Sequence, residues 1–194
     1  MIERFTKENY HVLCDIVTKK DKDVKSIIKQ YGYPPWWVRP NTFETLVLTI
    51  LEQQVSLASA YAAYQKLKEK INSITPKNLL ALTDEELRSC YFSRQKIVYT
   101  RELASAIISK HVSLENFFEQ PDEIVRTKLK KIKGVGDWTV DIYLIHALRR
   151  TNVFPVGDVA LVNAIKMLKQ HSTISKEGLL HLAKNGNRTD LSPL

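Results

Sequence analysis

Residues 129–140 read Leu129-Lys130-Lys131-Ile132-Lys133-Gly134-Val135-Gly136-Asp137-Trp138-Thr139-Val140. Apolar residues at helical spacing lead up to Lys133, two glycines bracket the apolar Val135, and a second helical run opens at Asp137. The pattern predicts a helix ending at Lys133, a tight turn, and a helix over Asp137 to Leu148. Glycine at 134 and 136 permits positive φ and lets an anion come close to the backbone. The first turn of the second helix then presents N–H groups without intrahelical partners, and the positive end of its dipole, to that anion. Lys130, Lys131 and Lys133 add charge beside it. Contacts of this kind grip a nucleic-acid backbone without reading its sequence. An ordinary turn between two helices would use the same glycines. The complete pattern L-x-x-I-x-G-V-G-x-x-T, helical on both sides, is much more specific than the glycine pair.

The chain on either side keeps the same rhythm. Phe43, Leu46, Val47, Ile50 and Leu51 recur at helical spacing, as do Leu57, Tyr61, Tyr64, Leu67 and Ile71. Leu79, Leu82 and Leu87 occupy a short segment, with Thr83-Asp84-Glu85-Glu86 reading as a helix start with acids in its first turn. Ser93 opens a helix through Ile97 and Leu103 to Ile108, Leu114 to Phe118 make a short one, and Pro121 suits the first turn of the helix before the glycines. Asp158 to Leu168 and a weaker run from Ser175 to Ala183 follow. No period-two alternation is sustained, so the expected fold is all-α, with about ten helices. Tyr33-Pro34-Pro35-Trp36-Trp37-Val38-Arg39-Pro40 reads as an ordered, non-helical connection.

Composition narrows the partner. The 194 residues hold 29 Lys and Arg against 21 Asp and Glu, a net charge of +8, which favours nucleic acid first and an acidic membrane surface second. With 44% hydrophobic residues the chain can bury a core. The first 25 residues carry charges every few positions and no apolar stretch of the signal-peptide kind. The longest apolar run, Phe43 to Leu51, is interrupted by Glu44 and two threonines and falls far short of a membrane span. Cys14 and Cys90 make neither a disulfide framework nor a four-cysteine metal site, and read as buried reduced thiols. The expectation is a soluble, intracellular protein.

Past the second hairpin helix comes Asn152-Val153-Phe154-Pro155-Val156-Gly157-Asp158. Pro155 and Gly157 bend the chain, and Asp158 opens the next helix, where an N-cap role would by itself explain the carboxylate. Its position, 20 residues after Trp138 and 22 after Gly136, is what makes it distinctive. With the hairpin, this stretch resembles the helix-hairpin-helix-GPD superfamily of DNA glycosylases, in which the loop after the hairpin supplies an Asp at this place. Tyr33 to Pro40 and Ile50-Leu51-Glu52-Gln53-Gln54-Val55-Ser56-Leu57-Ala58-Ser59-Ala60 are similar to the 3-methyladenine DNA glycosylase II branch. The likeness covers roughly residues 30 to 185.

The resemblance implies a two-lobed helical fold, with a central lobe at about residues 45–130 and a second made of 1–44 plus 131–185, joined across a cleft. It implies base-excision repair, with Asp158 stabilising the oxocarbenium character of the deoxyribose and orienting water after the nucleotide has been flipped out. Backbone contacts to duplex DNA fall to Gly134, Val135, Gly136 and Thr139, aided by Lys131 and Lys133. Relatives that also cut the strand carry a nucleophilic lysine two residues after the second hairpin glycine. Trp138 stands there in this chain and cannot form a Schiff base. With no four-cysteine cluster either, the expectation is a monofunctional hydrolase needing no metal or other cofactor.

Trp138 instead offers an electron-rich face to the positively charged N-alkylated purines, of the 3-methyladenine and 7-methylguanine type. Trp36 and Trp37 are further candidates for the base pocket, or for packing between the lobes. Ile142 stands where the relatives place a pocket tyrosine, and Tyr143 lies about 100° further round the helix. Gln53 or Gln54 would enter the minor groove and fill the gap left by the flipped base. The implied partner is double-stranded DNA with damaged bases, with no membrane and no obligate protein partner, in the cytoplasm and on the nucleoid if the source is a prokaryote. A non-catalytic DNA-binding protein that keeps the hairpin is the alternative.

The tail is atypical. The branch continues with a segment like W-K-P-Y-R-S-x-A, whereas residues 186–194 read Gly186-Asn187-Arg188-Thr189-Asp190-Leu191-Ser192-Pro193-Leu194. One T inserted before the Gly186 codon lets the genetic code read Trp, Lys, Pro, Tyr, Arg, Ser in order, with Ala two codons later. The expectation is a frameshifted or prematurely ended version of the family's last helix, which would impair both stability and activity.

Overall fold

Short polar residues decide where most of the helices begin. The computed structural model describes residues 3–170 and 173–185, and the helices among them are α1 Tyr10–Lys20, α2 Lys22–Tyr31, α3 Phe43–Glu52, α4 Leu57–Ile71, α5 Pro76–Ala81, α6 Asp84–Ser89, α7 Arg94–Ile108, α8 Leu114–Phe117, α9 Asp122–Leu129, α10 Asp137–His146, α11 Val159–Lys169 and α12 Lys176–Asn185. Asp21, Thr42, Ser56, Thr75, Thr83, Ser93 and Asp158 each accept a backbone N–H of the turn they precede. Thr83 and Glu86 complete the reciprocal capping box. The β pairing among the described residues is a single bridge, Arg4 to Arg150. The all-α expectation holds. The frameshift proposed for residues 186–194 lies outside the described residues.

The chain forms two compact units, one over residues 38–148 and one joining 3–37 to the segment from Arg149 onward. In the first, α3 is the central helix, with Phe43, Leu46, Val47, Ile50 and Leu51 all buried and α4, α7 and α10 packed against it. Leu67, Leu79, Leu87, Leu103, Phe117, Leu129 and Leu144 are fully enclosed and extend the same core. Truncating one such leucine to alanine costs about 2–5 kcal/mol, because the vacated space collapses only in part. The boundaries differ from those expected near residues 44 and 130. Residues 131–148 belong with the central helices because α10 lies on α3 and the buried Tyr143 packs edge-on against Phe117, and 38–44 go with them, since Tyr143 donates its hydroxyl to Asn41 Oδ1.

The second unit is held differently. Neither α1, α2 nor α11 contains a buried residue. Trp36 packs edge-on against Phe5 and Tyr10, with ring centroids 5.6 and 5.3 Å apart. Lys169, at the end of α11, pairs with Asp21 at 2.9 Å and Asp23 at 2.6 Å, and its side chain is only 11% exposed. Asp21 also caps α2, so one carboxylate starts that helix and ties it to α11. Cys90 is buried as expected, but Cys14 is only half-buried, on α1. Burial pushes both thiols above the ordinary value.

Candidate active site

The first helix of the hairpin ends at Leu129, four residues before the expected Lys133. The chain then tightens through Lys131 N–H to Lys128 O and Ile132 N–H to Leu129 O, at 3.4 and 3.0 Å. Gly134 closes the turn with φ +89°, outside what a helix can use. Its glycine has a packing reason as well. A Cβ at this position would stand 2.0 Å from Cγ of Tyr99, whose ring occupies the place of the missing side chain.

Gly136 is different. Its φ of −97° suits any residue, and a Cβ there would meet nothing within 4 Å. Gly136 is also the N-cap of α10, so that helix begins without the side-chain acceptor that α2 to α7 have. A bare backbone at a helix start, open on the outside, is the geometry that admits a phosphate. Lys131 and Lys133 are exposed beside it. Lys130 is partly spent on Asp137, at 2.7 Å.

Of the residues expected to touch DNA, Val135 and Thr139 have buried side chains and Gln53 a half-buried one. Val135 is 5% exposed, and its N–H donates to Ile132 O at 3.0 Å, so it anchors the turn. Thr139 is 1% exposed, with its hydroxyl accepting from Gln53 Nε2 at 2.8 Å. Gln53 Nε2 also donates to Gly134 O at 2.8 Å, so this amide belongs to the hairpin's support. Gln54 is the exposed member of the pair, held at φ 56°. Below this turn Arg39 makes a two-pronged pair with Glu52, at 2.9 and 2.6 Å.

Lys96 and Tyr99, on one face of α7, were not singled out in the sequence. Lys96 Nζ donates to Leu51 O and, at 3.2 Å each, to Ile50 O and Gln53 O, closing the end of α3. Burial pushes its ammonium below the ordinary lysine value, and Glu52 works the other way. Their partners lie more than 30 residues away, so no local pattern marks either side chain.

Of the aromatic candidates, Trp138 is half-buried in the first turn of α10. Tyr143 is fully buried against Phe117 and cannot line a pocket. Five residues after Trp138, it points about 140° away round the helix, into the core side of α10. In the second unit Trp37 is 68% exposed, while Trp36 is engaged with Phe5 and Tyr10.

Asp158, also in the second unit, is the N-cap of α11 and accepts Leu161 N–H on Oδ1 at 2.9 Å. Its own N–H donates to Pro155 O at 2.9 Å, and Val156 N–H to Phe154 O at 2.9 Å, so the Pro-Val-Gly bend is a hydrogen-bonded turn. Asp158 is thus the N-cap of α11 and a half-buried carboxylate at the end of a hydrogen-bonded bend. No group of three or more His, Cys, Asp or Glu among the described residues is arranged to hold a metal ion, and no helix among them is long and apolar enough to cross a membrane.

A helix started by a glycine follows a tight turn, and an Asp that caps a later helix stands 22 residues on from that glycine. The chain belongs to the HhH-GPD superfamily of base excision DNA repair proteins, whose family model matches residues 47–187. It is 30% identical to DNA-3-methyladenine glycosylase 1 of Schizosaccharomyces pombe over 159 residues, 76% of this chain and 68% of that protein. It is 30% identical to YfjP of Bacillus subtilis over 151 residues, 74% of this chain, and spans only about half, 53%, of that protein's length. Among solved structures, the Schizosaccharomyces pombe 3-methyladenine DNA glycosylase in complex with abasic DNA superposes with a TM-score of 0.79 at 26% identity, over 89% of this chain and 86% of that one.

Proposed function

We propose that the protein is a monofunctional DNA glycosylase that removes alkylated purines from duplex DNA. The observation that carries this is Gly136, a glycine that nothing inside the protein requires, at the bare start of α10. Its absent side chain makes physical sense when a phosphate comes against it. The relatives named for 3-methyladenine support the substrate class.

In this reading the hairpin grips the backbone, Gln54 enters the space left by the flipped nucleotide, and the indole of Trp138 stacks on the cationic base. The N-glycosidic bond breaks with its electron pair going to the purine, which leaves neutral. Asp158 stabilises the positive charge left on the sugar, and takes the proton from the water whose oxygen bonds to C1′. No lysine stands at 138 to form a Schiff base, so the abasic strand stays intact. The test is release of free base from methylated duplex DNA, with strand cleavage and borohydride trapping measured alongside. Base release with no cleavage and no trapped adduct is expected. A trapped covalent adduct would remove the monofunctional assignment, and no release would remove the activity.

A further inference from the structure

We propose that Gln53 is a positioning residue that sets the DNA-gripping hairpin from behind, and that Thr139 serves the hairpin by receiving it. This rests on the reading of residues 130–139 as a DNA-backbone site. Gln53 Nε2 spends both hydrogens on the hairpin, one on Gly134 O and one on Thr139 Oγ1, each at 2.8 Å. These two atoms flank Gly136 in the chain. The peptide plane between Gly134 and Val135 is thereby held at both edges, by Gln53 at its oxygen and by Ile132 O at its N–H. Tyr99 fills the space over Gly134, so the turn cannot relax toward α7. The bond to Thr139 holds the first turn of α10, whose N–H groups face the phosphate.

Gln53 is itself fixed. Lys96 Nζ takes its backbone carbonyl together with those of Ile50 and Leu51, and the next residue is the exposed Gln54. The turn that carries Gln54 and the hairpin are therefore joined through one side chain. Thr139 is 1% exposed, so its hydroxyl serves Gln53, while its backbone N–H belongs to the first turn of α10.

The experiment measures binding of an undamaged duplex, by fluorescence anisotropy, to the wild type, Gln53→Met, Thr139→Val, the double variant and Thr139→Ser, with a melting curve for each. Gln53→Met, which removes both bonds, weakens binding about tenfold, Thr139→Val, which removes one of them, weakens it by less, and the double variant weakens it by about the same tenfold as Gln53→Met, because the bond to Thr139 is already gone there. Thr139→Ser, which keeps the hydroxyl, stays within about twofold of wild type. Lys96→Met, which leaves the hairpin's own atoms untouched, also weakens binding and is non-additive with Gln53→Met. Losses that multiply in the double variant, or single variants that bind like wild type, would overturn the proposal while leaving the DNA site standing. A wild type that does not bind duplex DNA would overturn the site and this inference together.

Discussion

The two hairpin glycines offer a pair of substitutions with opposite expected outcomes. Alanine at 134 must adopt φ +89° and place its Cβ 2.0 to 2.4 Å from three atoms of the Tyr99 ring. The left-handed backbone costs about 1 kcal/mol for a residue with a Cβ. Displacing a packed ring adds about 2 kcal/mol. The sum, about 3 kcal/mol, lowers the melting temperature of a chain of this size by about 10 °C. Alanine at 136 meets no atom within 4 Å and keeps an ordinary φ of −97°. Its stability should stay within about 1 kcal/mol of wild type, with the weaker N-cap offset by the stiffer unfolded chain. Its methyl group nevertheless stands where the phosphate must come, so duplex binding should weaken by about tenfold or more. Thermal melts and anisotropy titrations on both variants decide the matter. A Gly134→Ala protein as stable as wild type would refute the packing argument. A Gly136→Ala protein that binds duplex as tightly as wild type would refute the phosphate argument.

Two further expectations follow from the charges. Burial disfavours the Lys169 ammonium, but Asp23 and Asp21 outweigh it and hold its pKa above the ordinary 10.5, so the stabilisation is complete below that pH and is lost as pH rises through the folded value. Lys169→Met should cost about 2 kcal/mol near neutral pH, and the gap in melting temperature from wild type should close in alkali above about pH 10.5. Lys131→Gln with Lys133→Gln should weaken duplex binding without sequence preference and reduce the slope of log K against log salt by about 1 to 2, measured from low to moderate salt. An unchanged slope would place both lysines away from the DNA.

How far the sequence could be read depended on the range of the interaction. The Ser, Thr and Asp caps, the hydrophobic rows of α3 and α4 and the glycine turn are local, and the helices stand where these signs put them. The helices α1 and α2 were missed, since neither buries a residue, although Asp21 ahead of Val24, Ile27, Ile28 and Tyr31 carried the signal for α2. Leu79 and Leu87 proved to lie on two short helices, with Leu82 extended between them. Spacing placed Tyr143 on α10 but could not say which side meets α3. Gln53 could be told from Gln54 only once the chain folds, because Gly134 lies 81 and Thr139 86 residues further on. The same distance hid Lys96 and Tyr99, whose purpose depends on carbonyls and a glycine supplied by other segments.

Asp158→Asn tests the central claim most directly, since asparagine caps a helix about as well as aspartate and can accept the same Leu161 N–H. The variant should melt within about 2 °C of wild type and bind duplex equally. Single-turnover release of 3-methyladenine or 7-methylguanine from methylated duplex should fall by about a hundredfold or more, because the carboxylate that stabilises the developing charge is gone. A folded, DNA-binding Asp158→Asn protein that releases these bases at the wild-type rate would contradict the account.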